Sequence, residues 1–166
     1  VVTWQSLNQD GSGWGIYAQR YDKDGIAYTT TGSVTENATA NTVEGQLLAT
    51  DPDAGDTLTY SIVGAANGTY GSLTLDSTTG KWVYSLDNGR VATQSLGKGS
   101  MGNETFKVQV TDAQGKYAET EIKVFVQGKN DVAAITGSFT GEVKEDTPAQ
   151  TNASGTLTIS DPDAGE

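Results

Sequence analysis

Residues 69–88 read TYGSLTLDSTTGKWVYSLDN. Apolar and polar side chains alternate on both sides of a turn rich in Asp, Thr and Gly. Alternation with a period of two is typical of a strand that buries one face, so strands are predicted over 69–75 and 80–86. The inward positions of this pair are Leu73, Leu75, Trp82, Tyr84 and Leu86. A strand pair with one apolar face needs a second layer to cover it.

The same alternation continues on either side of this hairpin. Further strands are predicted over 31–36, 43–50, 57–63, 104–111 and 117–127. Their inward positions are Leu58, Tyr60, Ile62, Phe106, Val108, Val110, Ile122, Val124 and Val126. The stretch 87–103 does not alternate, so it is predicted to be a loop with one helical turn around 91–96. Seven short strands at this spacing predict an all-β fold, an antiparallel Greek-key sandwich of the immunoglobulin-like type.

The chain contains an internal repeat. Residues 45–56, GQLLATDPDAGD, return as residues 155–166, GTLTISDPDAGE, at an offset of 110. Upstream of each copy, GSVTE at 32–36 matches GEVKE at 141–145, at an offset of 109. A period of this size corresponds to one immunoglobulin-like sandwich.

The repeat divides the chain into three predicted parts. Residues 30–131 are predicted to form one complete sandwich, and residues 132–166 the first strands of the next repeat, which cannot close a core alone. Residues 1–29 do not match the repeat. They are predicted to form a hairpin that ends an upstream β module.

Composition narrows the possible functions. The chain carries 21 acidic against 10 basic residues, a net charge of −11, which disfavours nucleic-acid binding. It has no Cys and no His, so the commonest general base and the preferred ligands of zinc are missing. No apolar run is long enough to span a membrane. An enzyme is not expected, although hydrolysis by a pair of carboxylates would need neither residue type.

Acidic residues gather in the loops at the two ends of the predicted sandwich. Acidic and amide side chains from separate loops meet at these ends: Glu36, Asp51, Asp53, Asp87, Asp112, Asn130 and Asp131. Clustered carboxylates repel one another, and a calcium ion, which takes six to eight oxygen ligands, would offset that repulsion. For a single Asp-Pro-Asp the alternative is an ordinary turn, because Asp, Pro and Gly all favour turns. The recurrence of the motif in the next copy favours calcium.

These residues carry a resemblance to a known family. TENATANTVEGQLLATDPDAGDTLTYSI resembles the opening of a cadherin domain, with Glu-Asn before the second strand and Asp-x-Asp after it. LTLDSTTGKWVYSLDN, FKVQVTDAQGKYAETEIKVFVQGKND and GEVKEDTPAQ are similar to bacterial cadherin-like repeats of the VCBS type. Such repeats occur in very large secreted adhesins of the RTX type, although the glycine-rich nonapeptide of RTX toxins is not found in this chain.

The resemblance implies calcium between successive domains. Glu36 is similar to the glutamate of the first strand, and Glu145 takes the same place in the next copy. The ligands implied around the linker are Asn130, Asp131, Asp161 and Asp163, with Asp51 and Asp53 serving the junction with the preceding domain. Asp87 departs from the family pattern, because Asp-Asn-Gly stands where cadherins have Asp-x-Glu. The linker 128–131 begins with Gly and is expected to flex when no ion bridges it.

The sequence therefore predicts a calcium-stiffened extender repeat of a bacterial cell-surface or secreted adhesin. Its expected partners are neighbouring repeats of the same chain, with a cell-surface glycan or protein bound through other domains, no nucleic acid and no insertion into a membrane. The alternative is a carbohydrate-binding module that stacks Trp4, Trp14 or Trp82 on sugars. Trp82 fits the inward alternation of its strand and is predicted to lie in the core.

Overall fold

A computed structural model describes residues 17–18, 30–52, 55–146, 148, 151–163 and 165. Its strands are β1 (Tyr17–Ala18), β2 (Thr31–Thr35), β3 (Thr42–Gln46), β4 (Ala49–Thr50), β5 (Thr59–Val63), β6 (Gly71–Leu75), β7 (Lys81–Leu86), β8 (Met101–Thr111), β9 (Tyr117–Gln127), β10 (Ala134–Gly137) and β11 (Leu157–Ser160). A one-turn helix, α1 (Val91–Gln94), lies between β7 and β8. No helix in the described part of the chain is long and apolar enough to cross a membrane.

Two sheets form the sandwich, so the predicted all-β fold is confirmed. One sheet has the strand order β2-β9-β8-β5 and the other β3-β7-β6. The predicted antiparallel pairing holds between neighbours in the sandwich except between β2 and β9, which run parallel from Thr31↔Lys123 to Thr35↔Gln127. These are the first and last strands of the sandwich, and parallel strands need a long connection, which the intervening strands supply.

The core lies between the two sheets. Its buried apolar residues are Val34, Leu47, Tyr60, Leu73, Trp82, Tyr84, Leu86, Phe106, Val108, Val110, Ile122, Val124 and Val126. Leu58, Ile62 and Leu75 pack against them while partly buried. The rings of Tyr84 and Phe106 meet across the core, with centroids 6.0 Å apart. Every inward position read from the alternation is therefore in or against the core.

The predicted strands 57–63 and 69–75 begin two residues later in the structure, at Thr59 and Gly71, and two other strands differ more. The predicted strand 43–50 is divided into β3 and β4, because Leu47 turns into the core and its N–H bonds to the Gly80 carbonyl at 2.9 Å. β8 begins three residues earlier than predicted. Its inward positions there are Gly102 and Glu104, which are both buried. Because these inward residues are a glycine and a carboxylate, the start of β8 shows no apolar alternation in the sequence.

Two short pairs lie beside the sandwich. β10 and β11 pair antiparallel, and the side chains of Ile135 and Ile159 are exposed. β1 pairs antiparallel with β4, which joins the upstream segment to the sandwich through Tyr17↔Thr50 and Ala18↔Ala49. The rest of the predicted N-terminal hairpin, including Trp4 and Trp14, lies outside the described residues.

Candidate metal centre

The parallel pairing of β2 and β9 brings two predicted ligand segments to one end of the sandwich. Both strands end at this pole, so Glu36, just after β2, lies beside the linker that follows β9. The Glu36 N–H continues the ladder by donating to the Gln127 carbonyl at 2.9 Å. The Glu36 side chain is 0% exposed. A buried carboxylate therefore sits where the chain leaves the sandwich.

Both oxygens of the Glu36 carboxylate accept hydrogen bonds. The Lys129 N–H donates to Oε2 at 3.1 Å, and the Gln94 side-chain amide donates to Oε1 at 3.0 Å. Burial raises the pKa of Glu36, the Lys129 N–H opposes that rise, and the nearby charges of Asp131 and Asp163 add to it. The site is thus buried and acidic, a setting that favours either a proton or a cation.

Asp161 and Asp163 reach this pole from the segment after β11. The Asp131 N–H donates to Asp163 Oδ2 at 3.0 Å, and the Asp163 N–H donates to Asp161 Oδ1 at 2.9 Å. Asn37 donates through Nδ2 to Asp131 Oδ1 at 2.8 Å. Asp163 is only 3% exposed. We call Glu36, Asn37, Gln94, Asp131, Asp161 and Asp163 the junction cluster.

The junction cluster has the chemistry of a hard-cation site. Asp131 Oδ2 and Asp163 Oδ1 are buried and have no hydrogen-bond partner. Buried charged oxygens without partners are costly, and an oxygen-only donor set suits calcium rather than zinc. Across the described ranges, however, no three acidic side chains are already arranged to hold a metal. The donors fit calcium, but N–H groups bind several of the oxygens that the ion would need.

The linker is seated on the loop between α1 and β8. The Gly128 N–H donates to the Ser100 carbonyl at 2.9 Å. A Cβ at position 128 would overlap the carbonyl oxygens of Leu96 and Gly97. Gly128 therefore permits close packing of backbone on backbone at the start of the linker.

Comparison with known proteins gives the family. A sequence model of the bacterial cadherin-like domain matches residues 22–128, more than half of the chain. The chain belongs to the bacterial cadherin-like domain family. The structure of extracellular cadherin domains 1–4 of protocadherin gamma B7 is similar, with a TM-score of 0.50, 25% identity, and coverage of 82% of this chain and 32% of that one. No curated protein sequence matches the chain.

A second solved structure, EC21–23 of human CDH23, matches with a TM-score of 0.48 and 22% identity, over 90% of this chain and 45% of that one. The chain thus spans about a third to under a half of the length of these cadherin structures. Cadherin-like domains are structural and adhesive modules that associate with neighbouring domains, and cadherin domains in general bind Ca²⁺.

The predicted ligands that are not in the junction cluster include Asp87, Asn130 and Glu145. Asp87 is exposed and occupied by its own turn, accepting from the Gly89 N–H at 2.9 Å and pairing with Arg90 at 3.2 Å. The Gly89 N–H first, and then Arg90, lower the pKa of Asp87. Asn130 and Glu145 are exposed. The assignment of these three residues as ligands stays a prediction.

The remaining predicted ligands are Asp51, Asp53 and Asp112. Asp112 Oδ1 accepts from the N–H groups of Gln114 and Lys116 at 2.9 and 2.7 Å, which closes the turn between β8 and β9. Asp51 is half-buried, and Asp53 lies outside the described residues. Asp56 Oδ2 is buried without a hydrogen-bond partner. Sequence reasoning missed Asp56, although it closes the repeated DPDAGD motif and an acid, Glu166, stands there in the second copy.

Sequence reasoning also missed the amides of the junction cluster. Asn37 follows Glu36 in the Glu-Asn pair and has a positive φ of 51°, a conformation that Asn adopts more readily than most residues. In this conformation the Asn37 side chain donates a hydrogen bond to Asp131. Gln94 comes from α1, and no pattern in the sequence connects it with Glu36.

The raised pKa of Glu36 predicts a pH-dependent stability in the absence of calcium. The folded state holds the Glu36 proton at pH values where the unfolded state, near the ordinary value of 4.5, has lost it. Stability should therefore fall as pH rises from 4.5 through the folded pKa, and stay constant above it. Glu36→Gln should remove this slope, seen as a few degrees of melting temperature between acidic and neutral buffer with chelator.

A matched control separates this slope from other titrations. Glu44→Gln removes the same charge from an exposed side chain paired with Lys81, and should keep the wild-type pH profile. Asp76 and Asp87 have lowered pKa values, so their contributions are lost only as pH falls through still more acidic values. Parallel profiles for the wild type and Glu36→Gln would contradict the prediction.

Proposed function

We propose that this domain is a calcium-dependent extender repeat of a bacterial cell-surface or secreted adhesin, and that the ion binds at the junction between consecutive repeats. In this proposal residues 30–131 are one repeat and residues 132–166 begin the next. One observation carries the proposal. Glu36 and Asp131 of the first repeat meet Asp163 of the second at a buried site where two carboxylate oxygens have no partner.

The charges of the junction cluster explain why an ion would matter. The Asp131 and Asp163 carboxylates lie close enough to Glu36 for their charges to raise its pKa. Without a counter-charge they oppose the docking of one repeat on the next, and a divalent ion would turn that repulsion into attraction. The residues that would hold it are Glu36, Asp131, Asp161 and Asp163, with neutral oxygens completing the shell. By the same logic, Asp51 and Asp53 would serve the junction with a preceding repeat.

A stiff junction suits an adhesin. A binding site displayed far from the cell needs a stalk that does not fold back, and a string of sandwiches joined by short linkers is stiff only if each linker is held. Calcium is available outside the cell at the concentrations that extracellular modules use, roughly 10⁻⁴ to 10⁻³ M. The proposal therefore places the protein on the outside of the cell, where it supports adhesion by spacing.

The alternative function, carbohydrate binding by this segment, has less support. Trp82 is 0% exposed, so its ring cannot stack on a sugar. Among the residues that the structure describes, Trp82 is the only tryptophan. Within the described part of the chain, a sugar site would have to use side chains other than tryptophan.

Calcium should raise the melting temperature of the 166-residue chain. An ion that binds only the folded state raises the free energy of unfolding by RT ln(1 + [Ca²⁺]/Kd). This gain is about 1.4 kcal/mol when calcium is at a tenfold excess over Kd. At the weak end of the expected affinity, a Kd of roughly 10⁻³ M, that excess is reached at about 10 mM calcium. If the sandwich of about 100 residues unfolds as a unit, the shift in its melting temperature is roughly 5–10 °C. The measurement is a thermal melt with chelator and with increasing calcium, at constant ionic strength.

Variants connect the shift to the junction cluster. Asp131→Asn and Asp163→Asn each remove a charge from the cluster and should abolish most of the calcium response. Glu44→Gln removes an exposed charge elsewhere and should leave that response intact. Identical wild-type melting curves with chelator and with 10 mM calcium, at the affinity expected for such modules, would overturn the proposed function.

A further inference from the structure

Amide and backbone N–H groups surround the carboxylates of the junction cluster. Glu36 accepts from Gln94 and from the backbone of Lys129. Asp131 accepts from Asn37, and Asp163 accepts from the backbone of Asp131. These donors place partial positive charge where a cation would place a full one, so they lower the repulsion between the carboxylates when no ion is present.

The orientation of the Gln94 amide follows from its neighbours. Its Nε2 lies 3.0 Å from Glu36 Oε1 and 3.4 Å from Asn37 Oδ1. Both neighbours are acceptors, so the nitrogen rather than the oxygen of Gln94 must face the cluster. The Asn37 amide is oriented likewise, with Nδ2 2.8 Å from Asp131 Oδ1. Two neutral side chains thus present N–H donors to the carboxylates of the junction cluster.

An independent observation shows that this arrangement leaves the site incomplete. Asp163 is 97% buried as a residue, being 3% exposed, and its Oδ1 has no hydrogen-bond partner. Asp131 is partly buried, and its Oδ2 atom is also buried without a hydrogen-bond partner. The N–H donors therefore satisfy part of the cluster and leave two oxygens for a ligand with positive charge.

We propose that Gln94 and Asn37 are exchangeable ligands: their amide N–H groups hold the carboxylates in the ion-free junction, and their amide oxygens turn inward when a divalent cation enters. The inference rests on the proposed calcium function. An N–H dipole directed at a cation is repelled, whereas the oxygen of the same amide is a ligand that calcium accepts. Rotation about the last side-chain torsion exchanges the two ends, which are nearly equal in size, without moving the backbone.

Gln94, and not the expected acid Asp87, contacts Glu36. Asp87 is committed to Gly89 and Arg90 in its own turn, and the helix that follows this turn carries Gln94 to Glu36. A neutral amide in place of a carboxylate lowers the negative charge of the site. Lower ligand charge weakens calcium binding and relieves repulsion in the ion-free state, which suits a junction that responds to millimolar calcium.

Side-chain amide NMR tests the exchange directly. In the ¹⁵N-labelled 166-residue chain, the Gln94 amide protons should appear at the positions of hydrogen-bonded groups in chelator and move to those of free amides in saturating calcium. The spectrum of Gln94→Glu lacks this pair and so assigns it. If calcium stabilises the wild type but the Gln94 amide protons stay where they were in chelator, the exchange is refuted and the proposed function survives. If calcium has no effect on the wild type, the proposed function fails with it.

Affinity gives a second readout. Gln94→Glu adds a carboxylate to the cluster, so calcium should bind about tenfold more tightly while the melting temperature in chelator falls. Gln127→Glu adds the same charge on an exposed side chain at the end of β9 and should change both quantities little. Gln94→Met, without donor or oxygen, should lower the melting temperature in chelator and weaken calcium binding. Equal calcium affinities for Gln94→Glu and Gln127→Glu would overturn the assignment of Gln94 as a ligand.

Discussion

Trp82→Ala should lower the free energy of unfolding by about 3–5 kcal/mol, because it removes a large, fully buried ring and leaves a cavity. The ring packs over Gly45, its partner in the β3–β7 register, and close to Gly32 in β2. The Trp82 ring therefore packs against strands of both sheets. Urea denaturation followed by fluorescence or circular dichroism measures the loss. A variant that kept wild-type stability would show that Trp82 does not hold the core.

The glycine beneath the ring provides a coupled test. A Cβ at position 45 would overlap the Trp82 indole, so Gly45→Ala alone should cost about 1–3 kcal/mol through overpacking. In the Trp82→Ala background the same change meets no ring, and its cost should largely disappear. Val91→Ala serves as the control, since Val91 is 85% exposed and its truncation should change stability by less than about 0.5 kcal/mol.

Gly128→Ala should lower the free energy of unfolding by about 2–3 kcal/mol, which is at the upper end of the effects of overpacking. The new Cβ would overlap the carbonyl oxygens of Leu96 and Gly97, which are backbone atoms that cannot rotate away. The linker would have to move off its loop and lose the hydrogen bond from Gly128 to Ser100. Thermal or urea melts in chelator measure this cost.

Gly97→Ala is the matched control for this prediction. A Cβ at position 97 would meet Asp163 only at an ordinary contact distance of 3.6 Å, so the change should be neutral or slightly stabilising. Since Lys129 binds Glu36 immediately after Gly128, the displaced linker of Gly128→Ala should also reduce the calcium response. Equal stabilities for the two alanine variants would mean that the linker does not depend on close packing at Gly128.

The sandwich was predictable because its strands alternate clearly. Leu73, Trp82 and Tyr84 lie inside as their spacing predicted, since a strand with one buried face must alternate. The start of β8 was not predictable, because Gly102 and Glu104 occupy inward positions without being apolar. The parallel pairing of β2 with β9 depends on contacts between the two ends of the domain, about which local periodicity says nothing.

The candidate site was predictable in part. Repetition and charge pointed to Glu36, Asp131 and Asp163, and the structure brings these three together. Neutral residues such as Gln94 carry no such signal, because a glutamine in a loop is ordinary until its neighbours in space are known. Asp87 illustrates the opposite case: an acid in a suggestive position is bound by its own turn and by Arg90.

The parallel pair of β2 and β9 also determines how a repeat responds to tension. A force that stretches a chain of repeats draws β2 toward the pole where it begins and β9 toward the pole where it ends, so the two strands must slide past each other. Their hydrogen bonds, extended at the two ends by Lys123 to Thr30 and Glu36 to Gln127, then carry the load together rather than breaking one after another. We therefore expect β2 and β9 to act as a mechanical clamp that is loaded in shear. One end of this clamp is Glu36, which contacts the linker and, by our proposal, the ion.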